Sequence, residues 1–336
     1  MAIISTDSIF YLILVILGIL GNSLVLLTVI GNAIDNKTMP ASDMILTNLT
    51  VTHLLISVLR NVLVITFQMG IDLLFSTLWC RVFMFIWTVL RSMSVWGTFS
   101  MSVFHYISIR NHYLKLRINS FFTTIKALAA IWTFNSLYYV PALIFTSRGE
   151  SNTTFSVQLI SSSTRPVLGC VWDFPSPNAN LFFVTTSLVI HEIIPVILMV
   201  ATNLSTLYTL QQHSRAIAAQ KTINRVASEK KAALVITTLV LLFVVCWGTN
   251  VLAVNFYNFT KGQSAPAFLL PMANFGTYIF MGFSPLVLMF GHSKLRRKLI
   301  SLICKQFKRQ NIQLGPPSEI SEPHYLVNFL GPLYHF

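Results

Sequence analysis

The chain has 336 residues, of which 54% are hydrophobic and only 10% are charged, and its formal net charge is +13. An average soluble domain has about 25% charged residues, so this composition excludes an ordinary soluble globular protein and predicts that apolar surface faces lipid. The positive charge does not indicate nucleic-acid binding, because most of it lies between apolar segments, where it marks membrane orientation.

Seven stretches are apolar and long enough to cross a bilayer, which takes roughly 20 residues of helix. They predict an all-α membrane protein, a seven-helix transmembrane bundle. In chain order the predicted spans are Ser8–Ile30, Met44–Ile71, Val82–Ile109, Ala127–Thr146, Asn180–Leu210, Ala232–Phe256 and Ala267–Phe290. The predicted organisation is an N-terminal segment 1–7, a transmembrane domain 8–290, an amphipathic interfacial helix 291–309 and an irregular tail 310–336.

Most of the 23 lysines and arginines follow the first, third, fifth or last span. Positive charge concentrates in cytoplasmic loops, so we expect a plasma-membrane protein with its N-terminus outside and its tail in the cytoplasm. The glycosylation sequons at Asn152 and Asn258 then lie outside. Cys80 and Cys170 are the two cysteines on the oxidising side, which predicts a disulfide between them.

Motifs along the spans resemble those of the rhodopsin-like receptors. They are Gly21-Asn22 in the first span, Trp132 and Pro141 in the fourth, Pro195 in the fifth, Phe243 to Trp247 in the sixth and Ser284-Pro285 in the seventh. The chain departs from that family at four positions. In the sixth span Gly248-Thr249 stands where Trp-x-Pro is expected, and in the seventh Ser284-Pro285-Leu286-Val287-Leu288 replaces Asn-Pro-x-x-Tyr. The other two departures lie in the third and second spans. The third span ends in Phe104-His105-Tyr106 without the usual arginine, and His53 stands where the family has a sodium-binding aspartate.

These departures, together with Arg91 and the His191-Glu192 pair, make the chain similar to the vomeronasal type-1 receptors and, more closely, to the related fish olfactory receptors of class A. The resemblance implies a chemosensory pheromone or olfactory receptor. Such a receptor binds a small extracellular molecule between helices 3, 5, 6 and 7 and activates a heterotrimeric G protein of the inhibitory type. Bitter taste receptors, which also depart from the standard motifs, are the alternative.

No catalytic constellation, cofactor motif or metal-ligand spacing is visible, so an enzyme is not expected. A small-molecule transporter or channel is a further alternative from a different class. It is less favoured, because the sequence has no internal repeat and no paired broken helices at matching positions.

Ionisable residues at membrane depth are costly unless they are paired or face a watery cavity, so each is a candidate functional residue. Arg91 lies eleven residues after Cys80, about 16 Å along a helix, and Glu192 lies at a comparable depth. They are expected partners, either in a purely structural ion pair or in a pair that also contacts a ligand. Arg60, His191 and Trp247 complete the predicted ligand-binding residues.

The predicted bundle contains two arginines, Arg60 and Arg91, and one glutamate, Glu192. This excess of positive charge favours a ligand with a negative group, received by Arg91. A cationic ligand held by Glu192 is the alternative.

Near the cytoplasmic side, the resemblance implies that His105 contacts the G protein, with Tyr106 and Arg110 nearby. After the last span, the run from Lys294 to Phe307 has one apolar face and predicts a helix lying in the membrane interface. Cys304 beside that face is a candidate for palmitoylation, with an unmodified thiol as the equal alternative.

Overall fold

The computed structural model describes residues 6–68, 76–114, 120–148, 168–217, 223–259 and 269–291. Within these ranges the chain forms seven long helices, α1 to α7. Five are uninterrupted α-helices: α1 over Thr6–Asn36, α3 over Thr77–Leu114, α4 over Ser120–Tyr138, α6 over Ile223–Phe259 and α7 over Leu269–Gly291. Asn152, Cys304 and the predicted interfacial helix beyond Gly291 lie outside the described residues.

The other two helices each contain a π-helical segment. In α2 the segment Ser57–Val62 joins α-helices over Ala41–Ile56 and Leu63–Gln68. In α5 the segment Val189–Ile193 joins α-helices over Pro177–Leu188 and Ile194–Ile217. A π-helix is bonded from residue i to residue i+5, and its wider turn changes the direction in which successive side chains point.

Helices α1 to α5 are long and apolar enough to cross a membrane by length and composition. In the described parts of α6 and α7 the apolar stretches are shorter, Thr237–Ala253 and Phe275–Leu288. Many large apolar side chains are exposed on the bundle, among them Leu27 and Leu252. Such a surface suits a lipid surrounding.

The fourth helix is interrupted within the predicted span. Helix α4 ends at Tyr138 and a separate helical turn covers Pro141–Ile144, so the apolar stretch Phe121–Ile144 ends two residues before the predicted Thr146, which lies in a β-strand. The physical reason is Pro141, whose nitrogen has no hydrogen to donate and whose ring cannot fit inside a continuing helix.

A two-stranded sheet covers one end of the bundle. Strand β1, Thr146–Arg148, pairs antiparallel with β2, Cys170–Trp172. Cys170 forms the expected disulfide with Cys80 at the start of α3, and the two Cα atoms are 5.3 Å apart. We call this end of the bundle the disulfide end.

Helix α3 is central and contacts α2, α4, α5 and α6, while α7 packs against α6 and α1. Small residues bring backbones close where helices meet. A Cβ atom on Gly18 would lie 3.1 Å from the carbonyl oxygen of Met281. Buried amides also bridge helices, since Asn250 Nδ2 donates to Thr277 Oγ1 at 3.2 Å. Close packing and such hydrogen bonds hold helices together in lipid, because burying apolar surface contributes little to helix association when the surrounding lipid tails are equally apolar.

Candidate ligand-binding site

An ion pair lies in the middle of the bundle between α3 and α5. Arg91 Nη2 donates to Glu192 Oε1 at 3.1 Å, and the two side chains are only 2% and 3% exposed. The structure therefore brings together the two residues that the sequence suggested as partners. A charge pair this deeply buried is stable only when geometry and neighbouring groups compensate for the lost water.

Two tryptophans flank the Arg91 guanidinium. Its central carbon lies 4.4 Å from the ring centroid of Trp247 on α6 and 5.9 Å from that of Trp87 on α3. Both indoles are buried. The ring faces attract the cation and replace part of its hydration. Trp247, predicted from the sequence, thus belongs to the site.

Arg60 on α2 shares one of these tryptophans. Its guanidinium carbon lies 4.6 Å from the ring centroid of Trp87 and 5.8 Å from that of Tyr278 on α7. Its Nη1 also donates to Asn61 Oδ1 at 2.9 Å. Trp87 was missed by sequence reasoning, although a signal existed: it precedes Arg91 by four residues, one turn on the same helix face.

Both π-helical segments carry charged residues of this site. The segment in α2 contains Arg60 and Asn61, and the segment in α5 contains His191 and Glu192; all four side chains are buried. Two consecutive residues of an ordinary α-helix point about 100° apart, at 3.6 residues per turn. The wider π turn lets both members of each pair face the interior, and such bulges are frequent at functional sites.

His191 contacts α3 and α4 beside the ion pair. Its Nδ1 lies 2.7 Å from Ser92 Oγ, and its ring lies 4.5 Å from Tyr138 and 5.0 Å from Tyr139, between centroids. Ser92 in turn hydrogen-bonds Asn135 on α4. The sequence suggested His191 as a ligand contact but gave no sign of this three-helix network.

Aromatic contacts continue from Trp247 toward the far end of the bundle. Trp247 stacks on Phe243 at 5.0 Å, and Phe280 on α7 lies 5.4 Å from His53. His53 Nε2 is 3.0 Å from Ser94 Oγ on α3, and its Nδ1 is 3.3 Å from Ser284 Oγ on α7. Among the described residues, no group of three or more His, Cys, Asp or Glu side chains could hold a metal ion.

Comparison with known proteins identifies the family. The model of the 7 transmembrane receptor (rhodopsin family) matches residues 21–287. The chain belongs to this receptor family. The receptor is therefore a multi-pass plasma-membrane protein of a family that responds to ligands and acts on G proteins, and that is not an enzyme family.

Two relatives are olfactory receptor class A-like proteins of zebrafish. The receptor is 36% identical over 331 residues to olfactory receptor class A-like protein 4 of Danio rerio, covering 95% of this chain and 96% of the relative. It is 24% identical over 299 residues to olfactory receptor class A-like protein 1 of the same fish, covering 86% and 90%. The predicted resemblance to the fish olfactory receptors is confirmed.

A third relative is the tachykinin-like peptides receptor 86C of Drosophila melanogaster. It is 26% identical over 235 residues, which cover 68% of this chain and 44% of that protein.

The three residues predicted for G-protein contact lie near the end of α3 opposite the disulfide end. Arg110 is exposed and its Nη1 donates to Tyr106 Oη at 3.1 Å, while His105 is half-buried with its ring 5.7 Å from Phe104. Asn258, expected in a loop, has its backbone in the last turn of α6.

Proposed function

We propose that the receptor is a chemosensory receptor for a pheromone or odorant, which binds a small molecule at the Arg91–Glu192 pair and activates a heterotrimeric G protein. The observation that supports this most is the buried ion pair itself. It joins α3 to α5 and is lined by Trp247 of α6. Membrane proteins rarely bury ionisable groups without a functional reason. The similarity to an olfactory receptor class A-like protein supports the chemosensory role.

The ligand carries a negative group. Among the described residues, the charged side chains of this cluster are the guanidinium groups of Arg60 and Arg91 and the carboxylate of Glu192, whose formal charges sum to +1. In a site shielded from water, a carboxylate, sulfate or phosphate gains strong charge-assisted hydrogen bonds from a guanidinium. The buried Trp87 and Trp247 make the surroundings of the pair aromatic, which suits an apolar or aromatic portion of the same molecule.

The disulfide end faces the outside of the cell, where cysteines oxidise, and ligand enters from there. The opposite end, with His105, Tyr106 and Arg110, contacts the G protein, which is of the inhibitory type. Arg110 lies five residues beyond His105, which stands at the position of the arginine that the third helix lacks, or about 7.5 Å further along the helix. Its exposed guanidinium supplies a fixed positive charge that the half-buried imidazole of His105 does not.

The test is a screen of small acids, amines, steroids and peptides on cells that express the full chain, with inhibition of cyclic AMP as the readout. We expect an acid among the best agonists. Arg91→Ala should then lower agonist potency about tenfold or more, equivalent to ~1.4 kcal/mol. Arg91→Lys should restore only part of the potency, because an ammonium lacks the two-pronged geometry of guanidinium.

Arg81→Ala is the matched control, since Arg81 lies on the same helix but donates to the carbonyl oxygen of Thr146 at the disulfide end. At equal surface expression it should leave potency unchanged. An amine agonist whose potency falls with Glu192→Gln but not with Arg91→Ala would overturn the anionic ligand. A conductance or solute uptake without any G-protein signal would overturn the receptor function itself.

A further inference from the structure

Two adjacent residues on α3 meet two adjacent residues on α5. Arg91 pairs with Glu192 at 3.1 Å, and the next residue, Ser92, contacts His191 at 2.7 Å. The two contacts therefore lie side by side across one helix interface. His191 and Glu192 also share the π-helical segment Val189–Ile193, in which they are neighbours along the backbone.

The hydrogen bonds around Ser92 fix the direction of its contact with His191. Asn135 Nδ2 donates to the carbonyl oxygen of Ile131 at 2.7 Å, which leaves Asn135 Oδ1 facing Ser92 as an acceptor. The single Ser92 hydroxyl proton must then go to Asn135. Ser92 Oγ therefore accepts, and His191 donates from Nδ1.

One other contact bears on this assignment. Trp96 Nε1 lies 3.4 Å from the same His191 Nδ1. An indole nitrogen only donates, so this contact would need an unprotonated Nδ1. The two contacts of Ser92 can both be hydrogen bonds only when Nδ1 carries the proton, because Asn135 Oδ1 can only accept and Ser92 has one proton. We therefore assign the proton to Nδ1, which leaves the longer contact from Trp96 without an acceptor.

The imidazole also has little freedom to move. It is 1% exposed, and the rings of Tyr138, Tyr139 and Phe134 lie 4.5, 5.0 and 5.8 Å from it. Tyr139 is itself held by Ser187 on α5, at 3.0 Å between the hydroxyl oxygens. The ring is thus packed on α4 while its Nδ1 is bonded to α3.

We propose that His191 is a positioning residue, which donates to Ser92 and thereby holds Glu192 in place against Arg91. It acts on the ion pair through the backbone of the π-helical segment. The proposal concerns the pair itself and does not depend on which ligand the receptor binds.

The test is a double-mutant cycle of the ion pair in different backgrounds. Arg91→Gln and Glu192→Gln are made singly and together in the full-length receptor, and the thermal midpoint is measured in detergent without ligand. Each single change leaves a buried charge behind, so the double change should cost less than the sum, and this non-additivity measures the coupling. In the His191→Phe background, which keeps an aromatic ring but removes the donor, we expect the non-additivity to fall by at least half.

The same two helices supply a matched control. Asn203 Nδ2 on α5 donates to Ser102 Oγ on α3 at 3.1 Å, eleven residues beyond Glu192 and Arg91 respectively. Asn203→Leu should lower the thermal midpoint but leave the coupling of the ion pair unchanged. His191→Asn, whose side-chain amide can take the place of Nδ1–H, should restore part of the coupling that His191→Phe loses.

Ser92→Ala provides a second route if His191→Phe does not fold, because it removes the acceptor of the same bond. The proposal is overturned if either change lowers the midpoint while the non-additivity stays at its original value, since His191 would then only add stability. It is equally overturned if Asn203→Leu reduces the coupling as much as His191→Phe does.

Discussion

Gly276 on α7 lies directly against the backbone of Cys246 on α6, where an added Cβ atom would overlap the Cys246 carbonyl oxygen. The obstacle is backbone, which cannot rotate away as a side chain can. This approach brings α7 close to α6 beside Trp247, so it also shapes one wall of the candidate site.

Gly276→Ala should therefore force the two helices apart. Overfilling a packed interface typically costs about 1–3 kcal/mol, and we expect lower surface expression and a lower thermal midpoint. Gly248→Ala on α6 is the matched control, because a Cβ there has no described atom within 4 Å. It should be neutral or stabilising by about 0.5–1 kcal/mol, as alanine favours helix. Equal losses from both variants would show that the contact does not limit packing.

Trp87 holds two guanidinium groups against one ring, and replacing it should destabilise the bundle. Trp87→Leu removes the aromatic face from both Arg60 and Arg91, for an expected loss of about 2 kcal/mol beyond the change in apolar volume. Trp87→Phe should cost less, because a smaller ring face remains. Trp79→Leu on the same helix, where the indole is 42% exposed, should cost little. The thermal midpoints of the three variants check the order, and a Trp87→Phe loss as large as that of Trp87→Leu would contradict it.

Sodium should not lower the activity of this receptor. By the resemblance to the rhodopsin-like receptors, His53 is expected to stand where that family has a sodium-binding aspartate, and its two nitrogens already face Ser94 and Ser284. A neutral imidazole offers no anion to balance the bound charge. Basal nucleotide exchange on the G protein should be the same in sodium and potassium salts at equal ionic strength. A sodium-specific decrease that disappears in His53→Ala would contradict this expectation.

Glycosylation should report the orientation of the chain. Asn152→Gln and Asn258→Gln are each expected to increase gel mobility, and glycosidase treatment should abolish the difference. Asn36→Gln is the control, because Asn36-Lys37-Thr38 is also a glycosylation sequon and lies at the end of α1, on the side that we expect to be cytoplasmic. A mobility change with Asn36→Gln alone would indicate the reverse orientation.

The sequence predicted the helix bundle and the Arg91–Glu192 pair because both depend on properties that can be calculated along the chain, namely hydropathy and the rise per residue of a helix. Hydropathy located the spans, and the rise per residue of a helix placed Arg91 and Glu192 at one depth. The ends of the spans were predicted less accurately from the sequence. Helix α3 continues to Leu114, beyond the predicted Ile109, because polar residues extend a helix past its apolar stretch.

The contacts around the pair could not be predicted in the same way. The network of His191, Ser92 and Asn135 joins three helices, and it depends on how those helices rotate about their axes. Neither the composition nor the periodicity of the sequence indicates a π-helical segment. Packing between helices, rather than local helix propensity, determines whether a turn takes an additional residue. Trp87 is the exception, since its spacing from Arg91 was visible in the sequence.

The π-helical segment of α5 affects how this receptor can be aligned with others. Passing through the wider turn shifts the angular register of every later residue, so the face of α5 that carries Asn203 is offset from the face that an unbroken helix would present. A relative with a regular fifth helix therefore corresponds residue for residue only on one side of Val189–Ile193. On the other side, the two sequences align only after a gap of one residue is introduced. If a substitution studied in such a relative were assigned to this receptor without that gap, a lipid-facing position would be matched to an interior one.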